Sequence, residues 1–294
     1  MSTFWSLWIT LLTVINIYAC YWLIKWTAKK REGEPDAGEV TGHSWDGLEE
    51  YNNPMPRWWL WMFYITIVFG VAYLALYPGL GNFKGALGWT QTGQYDTEVT
   101  NANAKYDPIF KKFASKDLVA LAKDPEGKEA GRRLFVSYCA QCHGSDGGGA
   151  IGFPNLTDKD WLWGGEPEMI KTSIMSGRNA MMPAWGAILG DDGVDKVAVY
   201  VQKLAGRKVD SVKAEAGKAI FNTNCAMCHM PDGSGNPMMG APRLSDNVWL
   251  YGGSAGAIKK SIKDGRSGKM PPHRDFLGED KVHVLAGYVY GLTH

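Results

Sequence analysis

Two pentapeptides carry the residue types able to do chemistry: Cys139-Ala140-Gln141-Cys142-His143 and Cys225-Ala226-Met227-Cys228-His229. A bare C-x-x-C pair has rival uses as a redox dithiol, half of a zinc site or a structural disulfide. A zinc ribbon wants its second pair ~15–20 residues on, whereas these pairs lie more than 80 apart. A thioredoxin-like pair wants a βαβ setting, which the glycine-rich surroundings do not offer. The histidine after each pair decides the matter, because histidine is only 6 of 294 residues. C-x-x-C-H is the attachment sequence of a c-type haem. Cysteines about one helical turn apart form thioethers with the vinyl groups, and the adjacent histidine turns its ring to the iron. Two such sequences imply two covalently attached c-type haems.

A sixth ligand must come from elsewhere. The first half offers Met169, Met175, Met181 and Met182; the second offers Met230, Met238, Met239 and Met270, with His273 also available. Repeat register singles out Met182 and Met270, each followed by a proline whose restricted φ steadies the loop carrying the sulfur. Met181 is the nearest rival in the first half and His273 a weaker one in the second, since register aligns it with Trp185. A His/Met pair raises the potential and closes both axial positions, which suits electron relay rather than oxygen or peroxide chemistry. Around the ligands, the Pro154 and Pro242 carbonyls could accept the histidine Nδ1–H, or these prolines could simply make turns. Arg178 and Arg266 could pair with haem propionates or be solvated. Trp161 and Trp249 suit core packing and propionate contact equally. The glycine run Gly144–Gly149 is no phosphate loop, because no Gly-Lys-Ser/Thr follows.

The elements that must hold these residues come in two copies. Ala130-Gly131-Arg132 with Phe135 and Cys139 recurs as Ala216-Gly217-Lys218 with Phe221 and Cys225. Trp161-Leu162-Trp163-Gly164-Gly165 recurs as Trp249-Leu250-Tyr251-Gly252-Gly253, and Gly177-Arg178 as Gly265-Arg266. Two copies at a period near 88 argue for tandem globular domains rather than a solenoid. The expected domains are 126–206 and 210–294. Each has a helix up to the cysteines, a glycine-rich loop, and a closing apolar-periodic helix at Val194–Leu204 or Asp280–Leu292. Domains this small have thin cores, and a covalent macrocycle supplies both staple and apolar surface. Residues 81–125 show little periodicity outside Ser115–Ala122 and are expected to be a tether.

The N-terminal part has a different solvent. Phe4 to Ile24 is an uncharged run, as is Trp58 to Phe83. Each is long enough to cross the ~30 Å hydrocarbon core as a helix. Trp5, Trp8, Trp22 and Trp26 flank the first, and Trp58, Trp59 and Trp61 open the second, as an interfacial belt would. A signal peptide is the main rival for the first run, but it lacks a basic start and an A-x-A-like site. Ala19-Cys20 also makes a poor lipoprotein site; Cys20 reads as an apolar residue within a membrane helix. Lys25, Lys29, Lys30, Arg31 and Arg57 put the loop between the runs in the cytoplasm. The organisation expected is therefore a first span with its loop over 1–57, a second span over 58–80, and everything beyond exported. The fold class is all-α: two N-terminal transmembrane helices, then two tandem class I cytochrome c domains.

Composition agrees without deciding. With 31 Lys+Arg against 30 Asp+Glu the net charge is +1, which leaves no basic footprint for nucleic acid. The mean hydropathy of −0.21 averages apolar spans with polar domains.

Two strings, GHSWDGLEEYNNPMPRWW (42–59) and YPGLGNFKGALGWT (77–90), exceed what an anchor needs. With Phe153–Gly165, Gly177-Arg178, Met182-Pro183-Ala184-Trp185 and the whole second copy, they resemble the dihaem CcoP/FixP subunit of the cbb-type (C-family haem–copper) cytochrome c oxidases. The likeness runs from about Gly42 to the C-terminus. It implies a subunit of a bacterial inner-membrane oxidase with its haem domains in the periplasm. Such a subunit takes electrons from a cytochrome c donor and passes them to a monohaem cytochrome c subunit. From there they reach the haem–copper catalytic subunit, where oxygen is reduced and protons are pumped. It also implies ligand pairs His143 with Met182 and His229 with Met270. The first span departs from the family, many members of which have one anchor helix. Competing expectations are a stand-alone anchored dihaem carrier and, less well supported by the two Met-Pro positions, a dihaem peroxidase. On every reading this chain alone reduces no oxygen.

Overall fold

The computed structural model describes residues 1–294, which divide into two compact units, 1–104 and 105–294. In the first unit, α1 (Thr3–Thr27) starts at a Ser2 cap that accepts the Trp5 N–H. After it come the strands β1 (Val40–Trp45) and β2 (Leu48–Tyr51), then α2 (Arg57–Leu76). The two helices have mean hydropathies of 1.8 and 1.9 over their most apolar windows and are long enough to span a bilayer. Of their side chains only Ile24 is buried within the chain. Helices apolar all round and exposed along most of their length suit lipid as solvent. β1 and β2 form an antiparallel hairpin closed by Trp45↔Leu48. Asp46 and Gly47 both take positive φ, 52° and 84°, the geometry for which Asp-Gly is favoured in a two-residue hairpin turn. After α2 the chain turns so that the Asn82 N–H donates to Ser6 Oγ at 2.9 Å.

The segment expected as a tether is largely helical. α3 (Gln91–Ala114) carries Pro108 inside it, and α4 (Leu118–Lys123) begins at an Asp117 cap. Phe113 and Leu121 are buried together with Val284, and Leu118 enters a larger core. Apolar positions spread over a long polar helix explain why hydropathy alone missed it.

α5 (Pro125–Tyr138) starts on an Asp124 cap with Pro125 in its first turn, ends at Cys139, and is followed by the short α6 (Ala140–His143). Then come α7 (Pro167–Ser176), β3 (Arg178–Met182) and α8 (Gly186–Leu204), the last kinked at Gly190. The second copy repeats the order as α9 (Ser211–Asn224), α10 (Ala226–His229), α11 (Ala255–Asp264), β4 (Arg266–Met270), α12 (Arg274–Leu277) and α13 (Glu279–Tyr290). The closing helices expected at Val194–Leu204 and Asp280–Leu292 are α8 and α13.

The packing of these copies differs from a simple tandem. One core joins Phe135 of α5 and Ile170 and Ile174 of α7 to Leu277, Val282, Leu285 and Val289 of the second copy. The other joins Val194, Val197, Ala198 and Val201 of α8 to Phe221, Ile258 and Ile262. The closing helices have thus changed places. Phe135 meets Tyr288 at 5.5 Å between ring centroids, and Phe221 meets Tyr200 at 5.2 Å. The repeated Gly131 and Gly217 make this possible. A Cβ on Gly131 would run into Tyr288 of α13, and one on Gly217 into the Lys196 carbonyl of α8. Between the two lobes β3 and β4 pair antiparallel, with Ala180↔Gly268 at the centre and Arg178↔Met270 and Met182↔Arg266 at the ends. The molecule is therefore helix-rich, but the all-α expectation is corrected by two two-stranded ladders. Both were hidden because short strands pair through backbone groups that leave little trace in hydropathy.

Candidate haem sites

Each C-x-x-C-H sits on one short helical turn. Cys139 and Cys225 are C-caps of α5 and α9 with matching dihedrals, ψ −28° and −30°. Their N–H groups donate to the carbonyls of the fully buried Phe135 and Phe221, each at 2.8 Å. All four cysteines are free thiols. Burial first, and the neighbouring cysteine second, pushes Cys139 and Cys225 each up to about 11. A redox dithiol needs a stabilised thiolate, so that rival use is disfavoured.

The histidines are held as ligands are held. His143 Nδ1 meets the Pro154 carbonyl at 2.9 Å, and His229 Nδ1 meets the Pro242 carbonyl at 3.0 Å. The carbonyl accepts, which fixes the ring and leaves Nε2 free for iron. Burial pushes the pKa of His229 below the ordinary value, with the Pro242 contact opposing, so the ring is neutral as coordination requires. The glycine-rich loops return to cover these turns: Gly149 N–H donates to the His143 carbonyl at 2.8 Å and Gly235 to that of His229 at 3.0 Å. Met230 occupies, at φ 61°, the place that Gly144 takes at φ 77°. It is a turn residue of this loop.

Around His229 lies a cavity of about 410 Å³ whose lining includes Cys225, Cys228, Phe221, Trp185 and Met182. Met182 also packs on the core containing Cys225. Met270 packs instead on the core containing Phe135 and Cys139. The sulfurs are crossed with respect to the sequence: each lies in the lobe of the other copy's cysteines. This packing sets Met182 beside His229 rather than its expected partner His143, and Met270 in the lobe of Cys139 rather than that of its expected partner His229. The expected pairs rested on counting residues within a copy, whereas β3 and β4 run past one another and deliver each methionine to the opposite lobe. Strand alternation also separates the rivals, since Met181 is 82% exposed while Met182 turns inward.

The arginines are half-buried and identically held. Arg178 Nε donates to Ser173 Oγ and Arg266 Nε to Ser261 Oγ, each at 2.9 Å. Their guanidinium groups lie over Trp163 (4.9 Å) and Tyr251 (4.3 Å). Trp161 and Trp249 pack against their cores and against Gly165 and Gly253, where a Cβ would collide with the indoles. The stacking partners Trp163 and Tyr251 went unremarked in the sequence, although their alignment within the repeated W-L-(W/Y)-G-G block marks them.

A haem fits the donor set. Two free cysteines on one turn, a neutral histidine with its far nitrogen open, an inward thioether and an apolar lining converge on the cavity at His229. In the other lobe Cys139 and Met270 pack on one core, and the Pro154 carbonyl holds His143 as Pro242 holds His229. Trp249 Nε1, buried without a partner in the chain, adds a donor free for a bound group. This donor set defines the class of covalent, c-type haem proteins.

Comparison with known proteins makes the class specific. Residues 37–84 match the family model described as the N-terminal domain of cytochrome oxidase-cbb3, FixP. Residues 126–201 and 212–289 match that of cytochrome c oxidase, cbb3-type, subunit III. The chain is 44% identical over 291 residues to the cbb3-type cytochrome c oxidase subunit CcoP of Rubrivivax gelatinosus, covering 98% of this chain and 95% of that protein. It is 38% identical over 283 residues to CcoP of Cereibacter sphaeroides (90% and 97%), and 39% over 270 to FixP of Azorhizobium caulinodans (86% and 92%). The chain belongs to the CcoP/FixP family of cbb3-type cytochrome c oxidase subunits. At 98% coverage the Rubrivivax match takes in the residues of the first apolar helix.

Proposed function

We propose that this chain is the membrane-anchored dihaem electron-transfer subunit of a cbb3-type oxidase in a bacterial inner membrane. Cys139 and Cys142 hold one haem, and Cys225 and Cys228 the other. The first is ligated by His143 and Met270, the second by His229 and Met182. The observation carrying this reading is the convergence of Cys225, Cys228, His229 and Met182 on one apolar cavity, with Cys139 and Met270 packed on a common core in the other lobe.

A haem so ligated supplies reversible one-electron exchange between ferric and ferrous iron. The chain does the rest. The proline carbonyls hold the histidine rings, the methionine thioethers would ligate the iron and so keep oxygen from it, and the apolar cores exclude water. Arg178 and Arg266 stand ready to neutralise propionates. α1 and α2 both span the bilayer, the basic residues after α1 keep the hairpin side cytoplasmic, and the haem lobes face the periplasm. Electrons enter from a cytochrome c donor and leave toward a monohaem subunit and the haem–copper catalytic subunit. No group on this chain reduces oxygen.

Purification in mild detergent tests the assembly: haem–copper and monohaem subunits should accompany this chain, and a homogeneous lone chain would sink the reading. The crossed ligation has its own test. In a Cys225→Ala/Cys228→Ala variant, which keeps only the haem at Cys139, Met270→His should abolish the methionine–iron charge-transfer band, whereas Met182→His should leave it. The reverse result restores ligation within each copy.

A further inference from the structure

The pseudo-symmetry maps each residue near one methionine onto a counterpart near the other, and at one place the two are chemically unequal. Trp185 and His273 each stand three residues after their methionine. Their backbone N–H groups donate in equivalent fashion, to the Ile262 and Ile174 carbonyls, each at 3.0 Å. Trp185 lines the cavity at His229 and packs on the apolar core there. His273 takes the matching place in the other lobe. Its ring lies 5.3 Å from that of Phe276, which meets Tyr138, the residue before Cys139, at 5.6 Å.

His273 is only 8% exposed, yet its Nδ1 has no hydrogen-bond partner. Buried polar atoms are nearly always partnered, so an acceptor is missing. The Met270 sulfur is present in the chain and does not serve. The group that fills the lobe can bring one, and the strongest acceptors of a haem are its two propionate carboxylates.

We propose that His273 is a positioning residue of the first haem site, its Nδ1–H donating to a propionate carboxylate, and that this contact makes the two haems unequal in potential. The inference rests on the His/Met ligation proposed above. A carboxylate that shares its charge with a donor stabilises ferric iron less. Hydrogen bonding and burial are among the levers by which a protein sets a haem potential. In the second lobe the bulky indole of Trp185 occupies the position as part of the core.

The test is an equilibrium redox titration of the full-length dihaem protein, followed by visible absorption, with Met270→His marking the wave of the first haem. His273→Phe should lower that wave by about tenfold in ferric-to-ferrous ratio, about 59 mV for one electron. The other wave should stay in place and the methionine–iron band should survive. His273→Leu provides a second apolar variant should the phenyl ring disturb folding, and His273→Gln, which keeps a donor, should recover most of the shift. If the apolar variants move neither wave, or both equally, or Gln recovers nothing, the inference is overturned while the ligation stands. If Met270→His itself moves no wave, the ligation reading fails and this inference falls with it.

Discussion

Residue identity decides the chemistry through small differences of position. Met181 and Met182 are adjacent and chemically identical and both border the cavity at His229, yet Met181 is 82% exposed while Met182 packs on the core there. In a strand, successive side chains point to opposite faces, so only one of a consecutive pair can turn inward onto that core. Met181→Leu should therefore leave the visible spectrum and both midpoints unchanged, read by absorption and redox titration. Loss of a methionine–iron band in that variant would mean that the alternation is misassigned. The haem motifs themselves are legible at this scale from five residues each, because the histidine after each pair sets thioether attachment apart from the other uses of C-x-x-C.

The elements show how the two copies hold together. Asp195 on α8 pairs with both Lys213 on α9 and Lys259 on α11, joining the closing helix of the first copy to two helices of the second. Hydrogen bonds from the two ammonium groups hold the Asp195 carboxyl below its ordinary value. A carboxylate with a lowered folded pKa stabilises the fold above its unfolded value of ~3.9, and that contribution fades as the pH falls through the folded value. The expected outcome is a lower Tm for Asp195→Asn at pH 7, with the difference from wild type shrinking below about pH 4. Because the pair is near the surface and screened, the effect should also weaken in high salt. A pH-independent loss would assign the effect to packing instead. α3 and the hairpin β1–β2 show the limit of reading elements from pattern. The Asp46-Gly47 turn was a usable hairpin signal that went unused. α3 is polar along most of its length and betrays its register only where Phe113 is buried.

At the scale of the whole molecule, the exchange of α8 and α13 means that neither copy is a complete domain. A chain ending at residue 206 keeps Cys139, Cys142 and His143 but loses Met270 and α13. That removes Val282, Val284, Leu285 and Val289, all at most 4% exposed. At about 1.5–3 kcal/mol for each buried side chain, the loss is of the order of a domain's entire stability of ~5–15 kcal/mol. The truncated chain should show no cooperative unfolding transition by circular dichroism and no methionine–iron band. A stable six-coordinate haem domain from this fragment would show that the copies fold independently.

The sequence by itself determined the haem attachment sites, the duplicated order of elements, the two apolar spans and the family, since each is written in local spacing or in hydropathy along the chain. It also marked both methionines. Which core each methionine packs on was decided only in three dimensions. Similar repeats carry equivalent packing faces, with Phe135 meeting Tyr288 as Phe221 meets Tyr200, so local spacing does not say which closing helix α5 accepts. The choice falls to the antiparallel β3–β4 ladder and to the close approaches at Gly131 and Gly217, which join residues far apart in the chain.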